Sequence, residues 1–374
     1  MITISVIISL LYSGLILYFV KGFDQVKTYK NKNSDPQTNF TLIIPFRNEA
    51  HNLTSLLNSL EQLNYSVDQF EILLINDASE DDFENIINDF KSKTKLDLQL
   101  YHSVRKSNSP KKDAIETGIK ISKYNWIITT DADCNFTVNW LKTLDTFIQT
   151  ANPKMVVAPV AFQVKSKLLY QFQNLDFLAL QGSTIGGFGI HKPFLCNGAN
   201  LCYNKDAFVK VKGFTGNDNI ASGDDIFLLE KMICEYPGEV KYLKSYEAIV
   251  TTQAQDKLSG LIQQRIRWAS KTSAYTNSFG KLTGFLIFTA NTYLLALFIL
   301  AVMNNISWQH FGLYFLIKFN VDFLLLYKTS QFFKQTEALR SYVISSVLYP
   351  FFTVIIGLLS LKKGYQWKGR RFDQ

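Results

Sequence analysis

The sequence predicts an α/β domain on a parallel sheet, held at a membrane by apolar helices at both ends. Three observations carry this. Apolar residues crowd into the first twenty positions and the last ninety, while the middle of the 374-residue chain reads as a soluble domain. In that middle, short β-branched runs alternate with amphipathic helical patterns, the signature of parallel strands joined by crossover helices. Polar residues, several of them carboxylates, stand at or just after the ends of those runs, where such sheets bind ligands. The chain therefore divides into an anchor (1–21), the α/β domain with a juxtamembrane helix (22–283), a membrane region (284–361) and a basic tail (362–374).

Residues 2–20 hold no charge before Lys21, close to the ~20 residues a helix needs to cross the hydrocarbon core. A cleaved signal peptide fits less well, because there is no basic n-region and no small-x-small site follows. Phe40–Phe46 (FTLIIPF) is apolar, β-branched and closed by Pro45, a buried strand. A helical pattern opens at 47–49 and carries Leu53, Leu56, Leu57 and Leu60 at 3–4 spacing. Residues 71–75 (EILLI) form a second strand ending at Asn76-Asp77-Ala78-Ser79, and Ile86, Ile87 and Phe90 mark the next helix. Residues 97–101 alternate like a strand, 110–123 read as a helix with proline in its first turn, and 126–130 make a fourth strand ending in Asp131-Ala132-Asp133.

Three apolar segments follow the domain, at 284–303, 310–327 and 341–361. The second carries Lys318 and Asp322, four apart and able to meet on one helical face, so it is expected to pack inward. The third contains Pro350, which invites a kink or break. Basic loops prefer the cytoplasm, and the domain, residues 328–340 and the tail are all basic. Three full crossings would leave the tail opposite the domain. A break at Pro350 would return it to the side of Asp131 and Asp225, which is the arrangement expected.

The net charge is +8, from 39 basic and 31 acidic residues, but no zinc-finger, RNA-binding or basic aromatic helix accompanies it, which excludes nucleic acid as a partner. The tail cations Lys362, Lys363, Lys368, Arg370 and Arg371 follow an apolar run and suit lipid headgroups, with Trp367 at their depth. The four cysteines form no CxxC pair and no zinc spacing with the four histidines.

The rim carries the chemistry. Asp131 and Asp133, two apart at a strand end, point to one face if extended, where they can serve Mg²⁺ or Mn²⁺ together with substrate phosphates. An acidic turn capping the next helix is the competing reading. Asp224-Asp225 opens an apolar helix; either is a good N-cap, and Asp225 is also the candidate general base, with Asp224 orienting it. Gln264, Arg267 and Trp268 lie on a helix just before the membrane: Arg267 can neutralise a diphosphate, Trp268 offers a wall, and a basic interfacial helix is the alternative. Gly186-Gly187-Phe188-Gly189 and Cys196-Asn197-Gly198-Ala199-Asn200 read as acceptor-side loops, and 168–180 as either core or an interfacial helix.

These residues, in this order, resemble the family-2 glycosyltransferases of the GT-A (Rossmann-like) fold, in particular the membrane-bound group with cellulose synthase, hyaluronan synthase and ceramide glucosyltransferase. The resemblance runs from about Phe40 to Trp268. It rests on Ile44-Pro45-Phe46-Arg47-Asn48-Glu49, Asn76-Asp77-Ala78-Ser79, Lys111 with Ala114 and Gly118, Asp131-Ala132-Asp133, Asp224-Asp225 and Gln264-x-x-Arg267-Trp268. It implies that Glu49 and Asp77 contact the ribose and base of a uridine nucleotide, that Pro45 and Arg47 line that pocket, and that Lys111 sits near base or phosphates. Asp131 and Asp133 would hold the donor diphosphate through metal, Asp225 would be the base of an inverting transfer, and Gln264, Arg267 and Trp268 would close over diphosphate and acceptor. Asn76, Pro110 and Asp224 depart from the family's usual Asp, Gly and Glu.

The function expected is a hexosyl- or N-acetylhexosaminyltransferase in the inner or plasma membrane, with a cytoplasmic catalytic domain and a lipid or glycan acceptor in cell-envelope biosynthesis. A processive polysaccharide synthase is the alternative. A non-catalytic nucleotide-binding subunit of a membrane assembly is the reading from another class, and the full set of carboxylates argues against it.

Overall fold

The computed structural model describes residues 1–31, 35–361 and 364–372, the side chains of Ser273, Gln366 and Trp367 excepted. Lys362 and Lys363 and the Trp367 side chain, part of the basic-tail reading, lie outside the described residues.

Helix α1 (Ile2–Gln25) leads into a run of alternating elements: β1 (Phe40–Phe46), α2 (Ala50–Glu61), β2 (Phe70–Asn76), α3 (Phe83–Lys91), β3 (Asp97–His102), α4 (Pro110–Ile121), β4 (Trp126–Thr129) and α5 (Trp140–Ala151). Strands β3, β2, β1 and β4 lie side by side and all pair in parallel. Helices cover both faces of such a sheet, so its strands have no polar face. Accordingly β2 is buried at every position, and β1 at every position but Pro45. Pro110 opens α4, where its missing N–H costs nothing.

The second half is mixed. It comprises β5 (Met155–Val157), β6 (Val160–Phe162), α6 (Leu168–Gly189), β7 (Leu201–Asn204), α7 (Lys205–Lys210), α8 (Asp224–Glu235), β8 (Val240–Tyr242), β9 (Val250–Thr252) and α9 (Leu258–Ser270). Strand β7 runs antiparallel between β4 and β5, and β8 closes the sheet parallel to β5, while β6 pairs with β9 in a separate ribbon. The carboxyl ends of β1, β2 and β4 thus open on one rim beside the point where the sheet changes direction.

Residues 186–189 are not a loop but the last turn of α6. Their glycines let α6 cross α1 at backbone contact: a Cβ on Gly189 would stand 1.8 Å from the Gly22 carbonyl oxygen. The preceding part of α6 is core, with Phe172, Leu175, Phe177 and Leu178 buried.

Among the described residues, four stretches are long and apolar enough to cross a membrane: α1, α10 (Ser278–Val302), α11 (Trp308–Phe333) and Thr336–Ser360, which contains α12 (Tyr342–Ser360). At one end of this bundle Ser5 meets Tyr293 and His310, each at 2.7 Å. At the other, domain-side end, Lys328 pairs with Asp24 at 2.9 Å. Between them Lys318 and Asp322 meet at 2.5 Å, and the Tyr12 hydroxyl donates to Asp322 at 2.6 Å, so the intramembrane charges face protein.

Helix α12 corrects one expectation: it runs unbroken through Pro350, which is buried. One proline deletes one backbone hydrogen bond, and packed neighbours tolerate that. The chain returns to the domain by another route. Just before α12, Gln335 donates to the Phe162 carbonyl at 2.9 Å, and Ala338 joins a domain core cluster. Just after it, a hairpin of β10 (Tyr365–Trp367) and β11 (Arg370–Phe372) lies on the rim. Both flanks of α12 therefore touch the same domain.

Candidate active site

The rim borders a cavity of about 940 Å³, lined by Pro45, Arg47, Glu49, Asp77, Lys111, Asp131, Asp133, Asp224, Asp225, Gln264, Arg267 and Trp268. The residues expected to bind nucleotide or metal, to act as base, or to close the site from α9 thus reach one space.

On the side of β1 and β2, the two strand-end loops are clamped together. Asn48 and Ala78 both take left-handed backbone, at φ 53° and 54°. For Ala78 this costs about 1–2 kcal/mol, so surrounding contacts must hold it. They do: Arg47 donates to the carbonyls of Asp77 (3.0 Å) and Ala78, the Asn48 amide donates to Ser79 Oγ at 3.0 Å, and Asn48 Oδ1 accepts from the Glu80 amide at 2.8 Å. Arg47 is thus a brace as well as a pocket wall.

Glu49 and Asp77 are buried, and each carries cations. Asn52 donates to Glu49 at 2.6 Å, and Lys368 forms an ion pair with it. Asp77 accepts from Arg105 at 2.5 Å and from Arg370 at 2.6 Å. Lys368 and Arg370 come from the hairpin, whose turn is Lys368-Gly369 at φ 47° and 76°, both positive as a two-residue hairpin turn requires. These two tail cations sit on the cavity's carboxylates rather than at headgroups, where they spare two buried charges from standing with fewer partners.

On the side of β4, the strand stops at Thr129, and Asp131 to Cys134 form a turn, the Cys134 amide donating to the Asp131 carbonyl at 3.2 Å. The extended geometry expected for Asp131 and Asp133 is absent, although both still face the cavity. Lys111 bridges Asp131 at 2.6 Å and Asp224 at 3.3 Å. Burial alone would lower the Lys111 pKa, but Asp131, Asp224 and Asp225 override it and hold the ammonium charged. Its neighbour Lys112 goes the other way. Burial pushes it down to about 8, and it binds the Asn217 and Ile220 carbonyls instead.

Burial, Asp131 and Glu49 raise the Asp133 carboxyl to about 6, and Thr252 donates to it at 2.9 Å. That excess of negative charge is where a divalent cation fits. Among the described residues no three His, Cys, Asp or Glu side chains group as a complete metal site, so a bound ion would need oxygens from a phosphate.

Asp224 and Asp225 are the first two residues of α8 and the N-cap is Gly223 at φ 86°, so neither aspartate is the expected cap, although Asp225 Oδ1 accepts from the Ile226 amide at 2.8 Å. Asp225 faces Lys271 at 3.4 Å and accepts from the Gly198 amide at 3.3 Å. Burial alone would raise its pKa; Lys271 and Lys111 overturn that and keep it below the ordinary carboxylate value. Gly198 belongs to the loop after α6, which Asn200 pins by donating to the Pro159 and Ala248 carbonyls at 2.8 and 2.9 Å. A Cβ on Gly198 would stand 3.0 Å from Asp224 and 3.3 Å from Lys111, so a side chain there would crowd both charges.

On α9, Arg265 anchors the helix through a buried pair with Asp176 at 2.7 Å and covers the Trp268 ring. Burial lowers the Arg267 pKa, against the pull of Tyr365, Asp131, Asp224 and Asp225 around it. Sequence reasoning missed Arg105, Lys271 and the placement of Lys368 and Arg370. Lys271 had a signal, lying one helical turn after Arg267. The Lys-Gly pair between aromatic-containing triplets was the signal for the hairpin.

Residues 41–209 match the model of Glycosyl transferase family 2, and residues 126–324 that of Glycosyl transferase family group 2. A poly-beta-1,6-N-acetyl-D-glucosamine synthase of Staphylococcus epidermidis is 26% identical over 267 residues, covering 68% of this chain and 60% of that protein. One of Staphylococcus aureus is 25% identical over 248 residues, covering 63% and 55%. The chain thus spans less than two thirds of these relatives' length. Among solved structures, a mannosyltransferase from Pyrobaculum calidifontis in complex with GDP-Man and Mn²⁺ superposes with a TM-score of 0.58 at 15% identity, covering 93% of this chain and 98% of that one. This likeness establishes the GT-A fold.

Proposed function

The chain belongs to glycosyltransferase family 2, and from that premise we propose that it transfers a sugar, with inversion, from a UDP-sugar to an acceptor hydroxyl at the cytoplasmic face of a membrane. The observation that carries this is the convergence of Asp131, Asp133, Asp224 and Asp225 around Lys111 in one cavity at the strand ends. The relatives' name supports N-acetylglucosamine as the sugar.

Glu49 and Asp77 bind the nucleoside, Pro45 and Arg47 line its pocket, and Asp131 and Asp133 are the residues that would hold Mg²⁺ or Mn²⁺ beside the diphosphate. A bound ion supplies charge stabilisation for the departing diphosphate. Lys111 and Arg267 add fixed positive charge on the same side, and Gln264 and Trp268 close the cavity from α9. Asp225, ionised at neutral pH, takes the acceptor's hydroxyl proton. The acceptor oxygen bonds to the anomeric carbon as that carbon's bond to the diphosphate breaks, and UDP leaves with the electron pair. Asp224 holds Lys111 in place between the two pairs of carboxylates.

Orientation follows from charge. The short connection 303–307 at the far end of the bundle has no basic residue, whereas 334–341 on the domain side carries Lys334 and Arg340. The test is release of UDP from radiolabelled UDP-N-acetylglucosamine by purified protein with Mg²⁺ or Mn²⁺. Absence of release with every common UDP-sugar would sink the transferase reading. The relatives' name also favours a second reading, processive polymer synthesis. Product size on a gel separates the two.

A further inference from the structure

We propose that the acceptor is a membrane lipid bearing a hydroxyl group, and that it reaches Asp225 sideways, through a cleft between α10 and the end of α12. The inference rests on the transferase reading above and names its second substrate.

The cavity that holds Asp131, Asp133 and Asp225 continues between these two helices, where Phe285, Phe288, Phe352 and Ile356 line it. Phe288 lies four residues past Gly284, where the apolar stretch of α10 opens, or ~6 Å at 1.5 Å per residue. It meets Gly357, three residues before the end of α12. The space therefore runs from the carboxylates into the domain-side edge of the apolar bundle.

The helices touch and then part. At Gly357 they are in contact, since a Cβ there would stand 2.4 Å from the Phe288 ring. One turn nearer the domain on α10, Gly284 faces open space, with nothing within 4 Å of its Cβ position. The lining residues beside this gap, Phe285 and Leu361, are 65% and 80% exposed, so the cavity opens outward where lipid would lie. Inside it, the Thr283 hydroxyl is buried without a hydrogen-bond partner. It can receive a polar group at a lipid's head-to-chain junction.

A growing glycan fits this wall poorly. Most of its hydroxyls would lose water against Phe285, Phe288, Phe352 and Ile356, with only separate partners such as Thr283 and Thr353 on the same stretch, whereas an alkyl chain gains by the same burial. The lipid's hydroxyl oxygen forms the bond to the anomeric carbon, UDP leaves, and the hydroxyl proton passes to Asp225.

The experiment uses membrane vesicles carrying the full chain, supplied with radiolabelled UDP-N-acetylglucosamine, followed by chloroform–methanol partition. Label in the organic phase, with one sugar per lipid by mass spectrometry, is expected. Gly284→Leu, which fills the open space, is expected to lower the ratio of lipid transfer to UDP release at least tenfold. UDP release with all label in the aqueous phase, as polymer or free sugar, overturns the lipid acceptor and leaves the transferase reading standing. An unchanged ratio in Gly284→Leu overturns the cleft as the path. No UDP release from the unaltered protein sinks the transferase reading and this inference together.

Discussion

Five of the cavity's carboxylates fall into two sets that are neutralised from different parts of the chain. Asp131, Asp224 and Asp225 take their cations, Lys111 and Lys271, from the domain and its juxtamembrane edge. Glu49 and Asp77 take theirs partly from a hairpin about 300 residues away, through Lys368 and Arg370. The first set is braced by nearby elements, and its charges are fixed wherever the sheet is folded. The second depends on a segment held mainly by its own contacts with the rim and α9. Chemistry that needs preorganised charge belongs with the first set, and binding that must open and close belongs with the second.

The sharpest break of this contrast is at Asp225. Asp225→Asn keeps the shape and loses the proton acceptor, so turnover should fall ~10²–10⁴-fold while donor affinity holds. If titration calorimetry shows donor affinity collapsing and turnover persists, the two halves have been assigned the wrong way round. Next in size, Asp133→Ala should cost ~10²–10³ in turnover, comparable with losing a charge-stabilising group elsewhere. EDTA should reproduce the loss in the unaltered protein, and full activity in EDTA would remove metal from the scheme.

In the nucleoside half the expected effect is smaller and falls on binding. Lys368→Ala leaves Glu49 buried without that cation, so the donor KM should rise about tenfold with kcat little changed, the scale of one charge-assisted hydrogen bond. A lower KM in steady-state assays would instead mean that the hairpin competes with the nucleotide. The smallest effect is on pH. Asp133's folded pKa, about 6, lies above its ordinary 3.8. The folded state thus holds this proton longer, and the group's contribution to metal-free stability falls as pH rises from about 4 to 6. A divalent ion competes with that proton, so its stabilisation in a thermal-shift assay should be greater at pH 7.5 than at pH 5. An equal shift at both values would argue against Asp133 as a ligand.

The same division governs what was legible in the sequence. Strand β1 was read to the residue, because a β-branched apolar run closed by proline is a local signal. The rim carboxylates followed, since parallel strands deliver their ends to one side. The cations of the nucleoside half were not legible there, because no local pattern says which carboxylate a distant arginine will meet. Gly186, Gly187 and Gly189 misled for a related reason. Glycines permit close approach, and here the approaching backbone is α1 rather than a substrate. Pro350 misled because a proline's effect on a helix is decided by its neighbours.

The hairpin also sets an order in time. Glu49 and Lys368 are 319 residues apart, and Asp77 and Arg370 are 293 apart. At ~5–20 residues per second of synthesis, roughly 15–60 s separate the emergence of these carboxylates from that of their partners. During that interval β1, β2 and β4 can pair, while α10, α11 and α12 have yet to enter the membrane. The pocket proposed for the nucleoside therefore stays short of two of its positive charges in a growing chain until the membrane region has been made. On the proposed roles, efficient use of the donor waits until the ribosome has passed Arg370, by which point the helices that border the proposed acceptor cleft already exist.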